Sequence, residues 1–366
     1  MSTTPASATT DTTTTGPDQQ RLEALVGQAV TDIGAAMNGA LVLLGNDLGF
    51  WSTLAGAGPM TAAMLADRTG VPEPYVDQWL SAQAASGYVE YDANARTFAL
   101  GPEQALVFAD ADSPAYMSGG YHIVRSLYED LPRIEDAIAS GRGFGWHEHD
   151  KELFLGTEQF FRPGYRTYLT NEWLPALDGV EDKLRAGGTA ADVGCGHGIS
   201  TTIMARTYPA STFYGFDYHE SSIARAREIA EDEGVAGNTV FETASAHDYR
   251  GADYDLICFF DCLHDMGDPV GALEHARETL AEDGTVMLVE PMAANAREDN
   301  LNPVGRVYYA ASTLICTPSS LAQDVGAAPG AQAGEERLRH VAEEAGFTRF
   351  RRATETPVNM VVEIRP

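Results

Sequence analysis

The run Phe259-Phe260-Asp261-Cys262-Leu263-His264-Asp265-Met266 turns from apolar to polar within a few residues. An apolar strand that ends in such groups sets proton-transfer chemistry at a sheet edge, where open α/β sheets place their ligands. Histidine, with an unperturbed pKa of ~6.5, can take a proton near neutral pH, and a carboxylate at its other nitrogen fixes the tautomer. His264 is therefore the candidate base, and Glu290, at the end of the next strand, its candidate partner. The competing readings are a core histidine satisfied by a backbone carbonyl, and Asp265 or Asp268 as a cap ahead of Pro269.

A second run, Asp192-Val193-Gly194-Cys195-Gly196-His197-Gly198, follows the apolar lead-in Thr189 to Val193 and precedes an amphipathic stretch from Ile199 to Tyr208. That is strand, tight turn and helix, with backbone N–H groups at the helix start free for a ligand. Dinucleotide enzymes use G-x-G-x-x-G at such a turn. Here the third glycine, Gly198, comes one residue early, which disfavours a pyrophosphate. Downstream, the strand ending Gly215-Phe216-Asp217 offers a carboxylate for two ribose hydroxyls. Ala246, His247 and Asp248 follow the third strand, where a carboxylate can accept from an adenine amino group. A turn or cap role for Asp248 is the alternative.

These residues need a doubly wound sheet to bring them together. Strand patterns at 189–193, 212–217, 239–244, 255–261 and 285–290 alternate with helical ones at 221–233 and 269–281. A helix at 335–345 and two strands at 347–355 and 358–364 close the chain. Such alternation predicts an α/β Rossmann-like sheet with ligands at its carboxyl edge. Two segments are placed to cover that edge: the connector 113–187, mainly helical, and an insertion over 291–334. In the first, His147 and His149 suggest a metal pair but diverge on a helix, so they read as pocket or surface residues and no metal is expected. In the second, Asn300, Tyr308 and Tyr309 are candidate substrate contacts, as is Asp265 beside the sheet edge. Asn302 and Pro303 read as N-cap and first helical residue. Tyr308, Ala311 and Ile315 share a helical face that core packing explains as well as substrate recognition does.

Ahead of the sheet, residues 1–18 are rich in Ser and Thr and predict a disordered tail. Over 19–112, two helical patterns between Arg21 and Leu54 lead into helix, turn, helix and β-wing, a winged helix (61–68, 72–86, 88–91, 97–100). DNA binding is disfavoured by charge. From Arg21 to Gly120 the only lysines or arginines are Arg21, Arg68 and Arg96, against eleven carboxylates. The whole chain carries −29, from 53 Asp plus Glu against 24 Lys plus Arg, which disfavours phosphate backbones and anionic membranes as partners. The four cysteines lack disulfide spacing, and the longest apolar runs fall far short of a membrane span. A cytoplasmic location and a homodimer built through the apolar N-terminal helices are the expectations.

Taken as a set, these motifs resemble class I S-adenosylmethionine (SAM) dependent methyltransferases. Asp192 to Gly198 matches that family's first motif, and Asp217, Asp248 and Asp261 to Met266 fall in order on its later ones. The chain is most similar to a bacterial group with an N-terminal winged helix, through Gly215 to His219, Asp261 to Pro269 and Asp299 to Pro303. The resemblance implies SAM as cofactor and S-adenosylhomocysteine as product. Its site would comprise Asp192, Gly194, Cys195, Gly196, His197, Gly198, Asp217, Tyr218, Ala246, His247, Asp248, Phe260 and Asp261, with a small-molecule acceptor. Plant-type O-methyltransferases also pair a winged helix with a His-Asp-Trp run whose histidine is the base; here Met266 replaces the tryptophan. Oxygen, nitrogen and carbon acceptors all stay open. The rival readings are a SAM-sensing winged-helix regulator and an NAD-dependent oxidoreductase.

Overall fold

The computed structural model describes residues 16–366, and the residues 1–15 of the expected tail lie outside the described residues. The chain divides between Gly101 and Pro102 into two compact units. The sequence boundary after Asp112 is thus too late, and the expected connector 113–187 folds as part of the second unit, because its helices pack with the sheet domain.

The first unit begins with α1 (Gln19–Asp47), α2 (Phe50–Leu54), α3 (Ala62–Thr69) and α4 (Glu73–Ala85). It ends in the hairpin β1 (Glu90–Asp92) and β2 (Thr97–Ala99). Asp18 caps α1 by accepting from the N–H groups of Gln20 and Arg21. Asn38, Gly39, Val42, Leu43 and Gly45 are its buried residues; Leu25, Val26, Val30, Ile33 and Met37 stay exposed. Gly45 is needed for close approach, since a Cβ there would stand 2.3 Å from Trp51 Nε1. Trp51 and Trp79 meet edge to face at 4.8 Å and donate to the carbonyls of Val42 and Leu41. Their indoles therefore bury a large apolar area with the N–H satisfied.

In the second unit α5 (Pro102–Phe108), α6 (Ser118–Ser140), α7 (Lys151–Gly164), a π-helical stretch (Tyr165–Trp173) and α8 (Val180–Ala186) precede the sheet. Then come β3 (Thr189–Val193), α9 (Ile199–Thr207), β4 (Thr212–Asp217), α10 (Glu220–Asp232), β5 (Thr239–Thr243), β6 (Tyr254–Phe260), α11 (Pro269–Thr279) and β7 (Leu280–Pro291). The insertion carries α12 (Pro303–Ala311), a π-helical turn (Ser312–Cys316) and α13 (Thr317–Leu321), before α14 (Gly334–Glu344), β8 (Arg349–Glu355) and β9 (Asn359–Arg365). Sheet order is β5-β4-β3-β6-β7-β9-β8, parallel except that β9 runs antiparallel to β7 and β8. Strand residues alternate between two cores. Ala190, Leu256, Cys258 and Met287 face α9, α10 and the π-helical stretch, whereas Ala191, Ile257, Phe259 and Leu288 face α11 and α14. The sheet is thus buried on both faces, and only its carboxyl edge is left for a site. On either side of β3 the chain winds in opposite directions, to β4 one way and β6 the other, which opens a crevice at that edge.

Candidate active site

The turn after β3 is fixed by its own backbone. Gly194 and Cys195 both donate to the Phe216 carbonyl, at 2.8 and 3.0 Å, and Gly198 donates back to Cys195 at 2.8 Å. Gly198 has φ +72°, and a Cβ there would lie 2.7 Å from the Phe241 ring, so neither its conformation nor its surroundings tolerate a side chain. Asp217 ends β4 and accepts from Gly196 N–H at 3.0 Å and His219 N–H at 2.9 Å. Burial pushes its carboxyl up, and those two donors oppose the shift.

Asp192 sits below the turn. Its Oδ2 accepts the hydroxyls of Ser200 and Thr201, both at 2.6 Å, tying β3 to the first turn of α9. Burial raises its carboxyl to about 6, with those hydroxyls pulling the other way.

These groups open onto a cavity of about 800 Å³ at the carboxyl edge of the sheet, within the ~300–1,000 Å³ typical of small-ligand sites. Gly194, Cys195, Gly196, His197, Asp217, Tyr218, Ala246, His247, Phe260, Asp261 and Asp265 line it, as does His147, which shares a contact with the Tyr218 hydroxyl at 3.4 Å. Among the described residues the lining includes several carboxylates and no lysine or arginine.

Other expected site residues stand elsewhere. Asp192 and Gly198 shape the turn from behind without lining the cavity. Asp248 is a turn residue: its Oδ1 accepts from the N–H and hydroxyl of Ser245. His149 is buried against Asp130 at 3.0 Å and edge-on to Phe144, where burial lowers its pKa. Asn300 is buried and brackets the backbone of Ala294, donating to its carbonyl and accepting from its N–H, both at 2.8 Å. Tyr308 donates to the Val358 carbonyl and packs with Leu153, Ile315 and Cys316, so that face is core. Tyr309 does not line the cavity. Substrate contact through His149, Asn300 or Tyr308, and adenine contact through Asp248, are therefore corrected to structural roles, and Tyr309 stands off the cavity lining.

Sequence reading passed over the side chains that α7 and the π-helical stretch contribute: Phe154, Glu158, Phe161 and Tyr165. Their spacing is that of one helical face, a signal present in the sequence but indistinguishable there from a core stripe. Glu158 holds His197 at 2.7 Å and also pairs with Arg162.

At the edge of β6, His264 Nδ1 lies 2.5 Å from Glu290 Oε2, the pairing the sequence suggests. Glu290 Oε1 also accepts from Leu263 N–H at 3.1 Å. The imidazole nevertheless does not line the cavity, and its Nε2 stands 3.1 Å from Asp265 Oδ1. Burial would lower its pKa, but the carboxylates of Asp265 and Glu290 outweigh that and hold it well above the usual histidine range. His264 thus stands behind Asp265, which lines the cavity in its place.

Asp261 takes φ +50° at the end of β6 and accepts from Tyr165 Oη at 3.0 Å and Asn359 Nδ2 at 2.7 Å. Burial, reinforced by Glu290, raises its carboxyl to about 8.

Comparison with known proteins agrees with this geometry. Residues 184–346 match a family model described as a methyltransferase domain, and residues 36–109 one described as an Rv2258c-like winged HTH domain. The 27-O-demethylrifamycin SV methyltransferase of Amycolatopsis mediterranei is 28% identical over 36% of this chain and 51% of its own length. A ubiquinone biosynthesis O-methyltransferase of a Shewanella species is 32% identical over 26% of this chain and 40% of its own. The chain thus spans about half or less of these curated relatives. Solved structures resemble it over nearly its whole length: mitomycin 7-O-methyltransferase (TM-score 0.68, 19% identity, 95% of this chain, 100% of that one) and human N-acetylserotonin methyltransferase in complex with SAM (0.66, 17%, 96% and 99%). At that identity they speak to fold. Residues 184–346 are thus similar to methyltransferase domains, and residues 36–109, earlier in the sequence, to a winged HTH module.

Proposed function

We propose that this protein transfers a methyl group from SAM to a small-molecule acceptor. The observation that carries the reading is one cavity holding the glycine turn, the Asp217 carboxylate and the polar edge of β6 together. In this reading Gly194 to His197 approach the amino-acid tail, Asp217 accepts from the ribose hydroxyls, and Ala246 and His247 flank the base.

Methyl transfer is an in-line displacement in which the sulfonium loses its charge as a neutral thioether forms. The protein must align the acceptor with the S–CH₃ bond and keep water out, and alignment alone can supply several kcal/mol. Phe154, Phe161, Tyr165 and Phe260 give the cavity apolar walls suited to a flat or aromatic acceptor. An acceptor that must lose a proton meets Asp265 first, with His264 behind it and Glu290 orienting the ring. Self-association through the exposed apolar stripe of α1, in the cytoplasm, completes the proposal. The helix α4, which would read DNA, offers Glu73 and Asp77, so nucleic acid is not a partner in this reading.

Two assays test it. Calorimetry with S-adenosylhomocysteine should give saturable one-site binding, and incubation with methyl-labelled SAM and a panel of phenols, indoles and amines should label a product. Tighter binding of NAD than of S-adenosylhomocysteine, or a gel shift at low salt, would count against the proposal.

A further inference from the structure

Beside the cavity lies a cluster that methyl transfer by positioning alone does not require. A ring nitrogen of His264, a carboxylate oxygen of Asp265 and Cys316 Sγ all lie within 4.8 Å of one another. They come from separate parts of the fold: His264 and Asp265 from the short turn after β6, Cys316 from the π-helical turn of the insertion. His264 and Cys316 are buried, at 4% and 5% exposure.

Its members interact directly: His264 pairs with Asp265, and the Cys316 thiol reaches both. Asp265 Oδ1 is buried without a well-formed hydrogen bond, and its ion-pair contact with His264 Nε2 stands at 3.1 Å. A carboxylate oxygen carries more than one lone pair, so this contact leaves Asp265 able to take a further partner. Meanwhile His264 Nδ1 is fixed by Glu290 at 2.5 Å. A carboxylate on the far nitrogen of an imidazole is the arrangement that orients metal-bound histidines.

We propose that His264, Asp265 and Cys316 form a three-ligand site for a divalent cation of the zinc class, oriented by Glu290 and bordering the cavity. One imidazole nitrogen, one carboxylate oxygen and one thiolate suit a borderline-soft ion and disfavour magnesium or calcium, which take oxygen ligands. Bond lengths of ~2.0–2.3 Å place tetrahedral ligand atoms roughly 3.3–3.8 Å apart. The observed limit of 4.8 Å therefore closes by about 1–1.5 Å of movement at most. Three protein ligands leave a coordination position open, as in catalytic rather than structural sites. Asp265 also lines the cavity, so the open position has a route to it. There a Lewis acid can take a lone pair of an acceptor oxygen or nitrogen. That role rests on the methyl-transfer reading, whereas binding of the ion does not.

The test uses the full chain, stripped with a chelator, dialysed and titrated with Co²⁺. One equivalent should produce a thiolate-to-cobalt charge-transfer band and tetrahedral d–d bands, and both should bleach on adding one equivalent of Zn²⁺. Cys316→Ala should abolish the charge-transfer band, and Glu290→Gln should weaken Zn²⁺ binding by roughly 10–100-fold. Absence of the band in folded protein, or its persistence in Cys316→Ala, would overturn the site. If circular dichroism shows Cys316→Ala unfolded, competition for Zn²⁺ against a chromogenic chelator decides between wild type and Asp265→Asn: an unchanged affinity in the variant overturns the site, and a loss of at least tenfold supports it. Binding of S-adenosylhomocysteine, followed separately, reports on the methyl-transfer reading alone.

Discussion

Replacing Asp192 by asparagine isolates the electrostatic cost of anchoring the glycine turn. The carboxyl is buried, and its folded-state pKa of about 6 lies above the ordinary carboxyl value of 3.8. Between those values the folded state binds more protons than the unfolded state, so stability falls as pH rises. The full shift amounts to about 3 kcal/mol, present below the unfolded pKa and lost as pH climbs through the folded one. Evaluated over an experimentally gentle range, about 1.3 kcal/mol of it disappears between pH 5 and pH 7. Asparagine does not titrate, so the stability of Asp192→Asn minus that of wild type should rise by about that amount over the same interval. The offset itself includes whatever the Ser200 and Thr201 bonds lose, but that part does not vary with pH. Urea unfolding of both proteins at several pH values, followed by a probe in the sheet unit, measures the difference. A difference flat from pH 5 to 7 would refute the burial argument, and one that fell would reverse its sign.

Three further outcomes follow from the same geometry. Gly198→Ala places a Cβ 2.7 Å from Phe241 at positive φ, so it should lose about 1–3 kcal/mol and lower Tm, as well as weaken S-adenosylhomocysteine binding; a variant as stable as wild type would contradict the packing. Ile33→Asp, at an exposed apolar position of α1, should halve the mass seen by light scattering with helicity unchanged, whereas an unaltered mass would remove α1 from the association surface. Asp265→Asn should lower kcat by at least tenfold for hydroxyl acceptors while S-adenosylhomocysteine affinity stays within about twofold, the pattern of a group acting after the cofactor has bound.

The sheet was legible because its signals are local. Apolar β3, β4 and β6 end abruptly in polar residues, and each glycine of the turn marks a backbone need that no other residue meets. The Glu290–His264 pair could be read too, since consecutive parallel strands bring their carboxyl ends together. What was illegible depends on contacts remote in sequence. Nothing near Asp265 in the sequence points to Cys316, and nothing near Asp261 points to Asn359, which arrives from the antiparallel β9. Tyr308 and Asn300 look like binding residues because tyrosine and asparagine are common in sites. Only their partners, the Val358 carbonyl and the Ala294 backbone, assign them to support. The two helical patterns between Arg21 and Leu54 run together in one unbroken α1 as far as Asp47, because their apolar spacing does not mark where one helix ends. The domain boundary slipped because α5 follows the wing directly, with only the Gly101-Pro102 step between the two units.

The carboxylate-rich cavity has a kinetic corollary. On the methyl-transfer reading SAM enters with a sulfonium charge and S-adenosylhomocysteine leaves without it, so the field that draws the donor in relaxes its hold once the methyl has gone. Raising ionic strength should then slow capture of the donor more than it slows escape of the product, and the protein should be less prone to inhibition by its own product in dilute buffer than in concentrated salt.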